Sequence, residues 1–131
     1  MLIEESIDIE DAIRLAIQPY LSASVYTRKM PAKLSLPCVR VMRTGGTRKD
    51  GVDTHTVAIQ YRAKTDAEAE SLANEANAVL EAVTRRGDTP LRSCELITHG
   101  NWGADPSRPD LSMRQAAFSI STHVIAKEVT R

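Results

Sequence analysis

The chain has 131 residues, 42% of them hydrophobic and 26% charged, and its 17 basic and 17 acidic side chains leave a formal net charge of zero. That length fits a single domain, residues 1–131, with an adequate core, and the absence of a basic excess argues against a dedicated nucleic-acid binder. Two cysteines, Cys38 and Cys94, argue against a disulfide scaffold, no apolar run approaches the ~20 residues of a membrane span, and the Met1–Glu5 start lacks the basic and long apolar regions of a signal peptide.

The first predicted element is a helix from about Ile7 to Gln18. Ile9, Ala12, Ile13, Ala16 and Ile17 recur at helical spacing and make one buried face. Ser6 or Asp8 supplies the N-cap, Asp8, Glu10 and Asp11 suit the positive end of the dipole, and Pro19 ends the helix. A short strand is expected at Ser24 to Arg28, then a loop bounded by Pro31 and Pro37. Cys38 to Thr44 reads as a strand with Val39 and Val41 on one side. Thr44 to Asp53 holds two turn signals, Gly45-Gly46 and Asp50-Gly51, and Thr54 to Lys64 is the antiparallel return strand.

A second helix begins at Thr65, which forms a capping box with Glu68. Ala69, Leu72, Ala73, Ala76, Val79, Leu80 and Val83 make its buried stripe, Arg85 and Arg86 suit its negative end, and Gly87 stops it. Ser93 to Thr98 is a further strand. His99 to Leu111, with Gly100, Gly103, Pro106 and Pro109, reads as a long loop. Met113 to Lys127 is a long last strand, with Phe118, Ile120, Thr122, Val124 and Ala126 facing the core. The expected fold is α+β in the order α-β-β-β-α-β-β, a mostly antiparallel sheet of four to five strands with two helices on one face.

The charges are sorted along the chain. Ala12 through Lys49 holds eight basic residues and no acidic one, whereas Thr65 through Thr84 holds Asp66, Glu68, Glu70, Glu75 and Glu81 and no basic one. Two such stretches can supply complementary faces for self-pairing, although a solvated outer face explains the acidic helix as well.

No enzymatic arrangement stands out. Gly45-Gly46-Thr47-Arg48-Lys49 has adjacent glycines before a strand, not the spaced glycines of a phosphate loop opening a helix. His55, His99, His123, Cys38 and Cys94 lack metal-ligand spacing, and no cofactor or metal is expected. Ser119, Ser121 and His123 alternate on one strand without an acid nearby, and Asp50 and Asp53 beside His55 sit in a charged turn. Arg28, Lys29 and Lys33 with Tyr20 and Tyr26 form a basic patch whose simplest reading is a solvated loop, with contact to nucleic acid as the alternative. Trp102, the sole tryptophan, reads either as an exposed interface anchor or as a lid over the core.

Three stretches resemble a known family: Leu36-Pro37-Cys38-Val39-Arg40-Val41 followed by Gly45-Gly46, Asp53 to Lys64 leading into Thr65-Asp66-Ala67-Glu68-Ala69, and the Asp105 to Asp110 loop opening the last strand through Met113-Arg114. With the element order, these resemble the tail terminator proteins of long-tailed bacteriophages, also described as tail completion or head–tail joining proteins. Members often carry Pro-Arg plus an aromatic at the start of the last strand. Here Arg114 follows Met113 and Gln115 takes the aromatic's place, which leaves open a neighbouring neck or head-completion protein contacting DNA or portal proteins. The resemblance implies a virion structural protein, made in the host cytoplasm, that forms a sixfold ring on the tail tube. Such a ring stops tube polymerisation and presents a surface for the head. Its implied partners are copies of itself, the tube protein and a neck protein, with incidental DNA contact and no membrane. A ring needs head-to-tail contacts between two different faces of one subunit. The expected contact residues are Arg48, Lys49 and Asp50 at the hairpin tip, Arg28 and Lys29 in the basic loop, and Trp102 in the long loop. A small ligand-binding or enzymatic α+β domain is the remaining class.

Overall fold

The computed structural model describes residues 1–130, with the side chains of residues 100–104 outside the description. Strand β1 (Leu2–Glu5) comes first, followed by helix α1 (Ile9–Ile17) and a 3-10 turn, Gln18–Tyr20. Strands β2 (Ser24–Tyr26), β3 (Cys38–Lys49) and β4 (Val52–Ala63) lead into helix α2 (Asp66–Arg86). Strands β5 (Leu91–Asp105), β6 (Arg108–His123) and β7 (Ile125–Glu128) complete the chain. The expected α+β architecture is present: a five-stranded sheet in the order β2-β3-β4-β6-β5, antiparallel except for the β2–β3 pair, with both helices on one face.

Each helix is defined by local chemistry. The Asp8 carboxylate caps α1 by accepting from the Asp11 N–H at 3.1 Å, and Ile9, Ile13, Ala16 and Ile17 are buried. Pro19 sits in the 3-10 turn after Ile17, where its missing N–H costs no helical bond. The Thr65 hydroxyl accepts from the Glu68 N–H at 3.2 Å, and Gly87 ends α2 in the left-handed region. The stripe Ala69, Leu72, Ala73, Ala76, Leu80 and Val83 is buried against the sheet. Its alanines let α2 lie close over Tyr61, Phe118 and Ile120, none of which is exposed.

Four sequence expectations are corrected. Gly45-Gly46 is not a turn: β3 runs through it, with a register shift between Arg43 and Gly45, and the reversal is the two-residue turn Asp50-Gly51. Asp50 (φ 53°) and Gly51 (φ 74°) both take positive φ, the combination that matches the twist of a two-residue hairpin. The expected 99–111 loop is instead the end of β5, a turn at Pro106-Ser107 and the start of β6. β5 absorbs its glycines because it is an edge strand, paired only to β6, with irregularities between Leu91/Ser93, Leu96/Thr98 and Asn101/Ala104. The last strand breaks at Val124, and Ala126 is exposed rather than in the core. Its final residues form β7 and pair with the unexpected β1 as a separate two-stranded ribbon.

The β3 rim is occupied by a side chain. Beyond three-residue β2, the Glu10 carboxylate accepts from the Arg28 N–H at 3.0 Å and the Arg43 N–H at 2.9 Å. Arg28 in turn donates to the Arg43 carbonyl at 2.6 Å. Here α1 supplies, through one carboxylate, the acceptors that a longer β2 would have supplied from its backbone.

Candidate functional site

The basic stretch is largely spent inside the subunit. Arg48 Nε donates to Asp53 Oδ1 at 2.7 Å, and its Nη groups reach the Ser6 hydroxyl at 2.7 Å and the Glu4 carbonyl at 3.1 Å. The Ser6 hydroxyl also donates to Asp53 Oδ2 at 2.6 Å. Hydrogen bonds from Arg48 first, and from Ser6 second, hold the buried Asp53 carboxyl at about 2. Arg48 therefore ties the hairpin tip to the segment following β1. Arg40 donates to the Arg28 carbonyl at 2.6 Å, and Arg28 pairs with Glu10. Of the expected contact residues, Lys49, Asp50 and Lys29 are exposed, Arg28 and Arg48 are exposed but bonded, and the Trp102 side chain lies outside the described residues.

The histidine drawn with Asp50 and Asp53 has a structural setting. His55 has no exposed surface, accepts at Nδ1 from Arg43 Nε (3.0 Å) and meets the Thr122 hydroxyl at Nε2 (3.0 Å). Arg43 can donate only to an unprotonated Nδ1, so the ring proton sits on Nε2 and points to Thr122. The reason for Gly46 appears here: a Cβ there would lie 2.5 Å from Arg43 Nη2 and 2.7 Å from the Thr54 carbonyl oxygen. The glycine leaves the space through which Arg43 crosses to His55.

Burial, and secondarily Arg43, push the His55 pKa below its ordinary 6.5. The unfolded chain therefore binds the extra proton first, and stability from this group is present above about 6.5 and declines as pH falls toward the lowered value. A single proton limits the slope to about 1.4 kcal/mol per pH unit. Urea midpoints measured from pH 7 to pH 5 are expected to fall more steeply for the native chain than for His55→Gln. Equal slopes would show that His55 is not the group responsible.

Other expected groups are separated. Cys38 is a buried free thiol, and burial pushes the half-buried Cys94 thiol up to about 12, away from thiolate chemistry. Ser121 shares its hydroxyl bond with Ser93, and His123 stands exposed at the end of β6. Tyr20 stacks under Arg86, 5.3 Å from its ring centroid, and the Tyr26 hydroxyl accepts from the Ser35 N–H at 3.3 Å. Among the described residues no three His, Cys, Asp or Glu side chains cluster to hold a metal, and no helix is long and apolar enough to cross a membrane.

One surface was not anticipated from sequence. Exposed Arg85, Arg92 and His123 line an open cleft of about 690 Å³ together with Ile7, Val124 and Ile125. Arg85 and Arg86 had an adequate explanation as partners of the helix dipole, and nothing local joins them to Arg92 or His123. The irregularity between Leu91 and Ser93 places Arg92 in a bulge, a feature that redirects side chains.

No family model matches the chain, and no curated protein matches it. Among solved structures, the chain is similar to a chain described as "Virion of native gene transfer agent (GTA) particle". The two share 17% identity over 91% of this chain and 98% of that one, with a TM-score of 0.47.

Proposed function

We propose that this chain is a structural protein of a phage-like virion, and specifically a tail terminator that forms a ring on the end of the tail tube. The observation that carries this reading is the convergence of the three stretches bearing the family resemblance. Cys38 stands opposite Arg62 in the β3–β4 register. Arg62 Nε bonds Asp105 Oδ2 at 2.6 Å, so the stretch that opens β3, the stretch along β4 and the β5–β6 turn meet at one end of the sheet. The second and third stretches meet again where Arg114 bonds Asp66 at 2.8 and 3.2 Å. Residues that resemble one family in three separated segments thus form one structural unit. The shared part of the layout, a β3–β4 hairpin leading into the capped α2 and then the β5–β6 pair, supports the same reading.

The ring stops tube growth by occupying the tube's end and offers its opposite surface to the neck. Adding the purified protein to polymerising tube protein of the same particle tests this reading, with tube lengths measured by electron microscopy. Shortened tubes with extra density at one end are expected. An unchanged length distribution with bare ends would overturn the assignment and favour the neck-adaptor alternative.

A further inference from the structure

The geometry points to a specific subunit-to-subunit contact: the cleft lined by Arg85, Arg92 and His123 receives the acidic face of α2, centred on Glu68 and Glu75, from a second copy of this chain. The inference deepens the ring reading and rests on it.

Both surfaces carry charge left over from internal pairing. No ion pair among the described residues uses Arg85, Arg92, Glu68 or Glu75. By contrast, the arginines of the acid-free stretch that looked most available, Arg28 and Arg48, are tied to Glu10 and Asp53. Glu68 and Glu75 are seven residues apart on α2, so they stand on one side of the helix, two turns and about 10 Å apart. They flank a shallow hollow of about 180 Å³ with Ser22, Ala23, Pro37 and Leu72, and no basic side chain lines it. The cleft offers apolar surface from Ile7, Val124 and half-exposed Ile125 between its cations. Of the acidic residues nearby, Glu81 lines an adjoining hollow with Arg85 and Arg92, and Asp88, between the lining residues Gly87 and Thr89, is paired with Arg86. A basic rim around apolar surface fits an acidic helix face with exposed Pro37 beside it.

The positions favour a second copy over closure within one subunit. The cleft belongs to the β5 side, because Arg92 lies in β5. The acidic hollow belongs to the β2 side, because Ser22 and Ala23 immediately precede β2 and Pro37 precedes β3. In the order β2-β3-β4-β6-β5 these are opposite margins of the sheet, four strand spacings or roughly 19 Å apart. Along α2, Glu75 and Arg85 are separated by ten residues, about 15 Å. A subunit cannot join its own two surfaces, but each copy can offer one surface forward and one backward. Such a heterologous contact closes into a ring when the rotation per subunit permits.

Two charge reversals and their mixture decide the matter. Variants R85E/R92E and E68K/E75K are measured beside the native chain by light scattering across a wide concentration range and two salt levels, with melting temperatures confirming the fold. Native chains are expected to associate in a salt-sensitive way, and each variant alone at least about tenfold more weakly. An equimolar mixture of the variants is expected to recover native-like association, because every interface then meets opposite charge. Association unchanged in both variants overturns this contact while leaving the ring reading to the tube-length assay. A native chain that stays monomeric at every concentration overturns self-pairing through the cleft. Loss in the single variants without recovery in the mixture overturns the pairing of these two surfaces with each other.

Discussion

Asp105→Asn is expected to lower the unfolding free energy by about 3–5 kcal/mol, the cost typical of leaving one member of a buried ion pair without its partner. Arg62 and Asp105 are 8% and 2% exposed at their side chains, and 2.6 Å separates Nε from Oδ2. Burial alone would raise the Asp105 carboxyl, but hydrogen bonds from Arg62 and from the Ser107 N–H and hydroxyl override it and hold the group below its ordinary 3.8. The sign follows: this carboxylate stabilises the fold above the unfolded value and stops doing so as pH falls through the lowered one. The amide in the variant keeps an acceptor for Ser107 but leaves a guanidinium in the interior facing no charge. The double variant R62M/D105L removes both charges and is expected to lose less than either single change, since a buried pair is often replaceable by apolar groups of similar size. Chemical denaturation of R62M, D105L and the double variant provides the cycle, with Asp105→Asn measured beside them. A loss below about 1 kcal/mol for Asp105→Asn would mean that water or another anion reaches Arg62.

Phe118→Ala is expected to cost about 3–5 kcal/mol, the range for deleting a buried aromatic side chain. Phe118 has no exposed surface and occupies β6, which lies between β4 and β5. It stands opposite Val57 on one side and Leu96 on the other. With aromatics at 4% of the sequence, few other residues fill comparable volume beneath α2. The neighbouring Ile59→Val, which removes one methylene from the same face, should cost only about 0.5–1.5 kcal/mol. Urea denaturation of both variants tests the ordering. Equal losses at the two sites would show that the surrounding side chains collapse into the space Phe118 leaves.

The sequence was most legible where the determining information is local. α2 could be read from Thr65, Glu68, the apolar stripe and Gly87 because each signal acts within a turn or two of helix. The Gly45-Gly46 pair misled for the opposite reason: glycine is required at 46 by the Arg43 side chain and the Thr54 carbonyl, neighbours that only the folded hairpin brings there. β1 gave no signal because its four residues bury no side chain, and its partner β7 lies at the other end of the chain. Pro109 and the glycines of β5 suggested a loop, yet an edge strand and the first residues of a strand tolerate both.

Charge was legible as composition but not as availability. The acid-free stretch from Ala12 to Lys49 has Glu10 shortly before it and Asp53 shortly after it, and those two carboxylates pair with its most prominent arginines, Arg28 and Arg48. Arg85 and Arg92, only two cations in a mixed neighbourhood, remain free of ion pairs among the described residues and lie beside apolar surface.

The carboxylate of Glu10 on the β3 rim bears on how crowded copies of this chain meet. Open strand edges pair with any other strand, because main-chain hydrogen bonds read no side-chain sequence. With Glu10 and Arg28 already using the Arg43 N–H and carbonyl, and with β5 interrupted by bulges, both rims of the sheet resist indiscriminate strand addition. Contacts at high local concentration are thereby directed to side-chain faces, where shape and charge can distinguish the right neighbour from the wrong one.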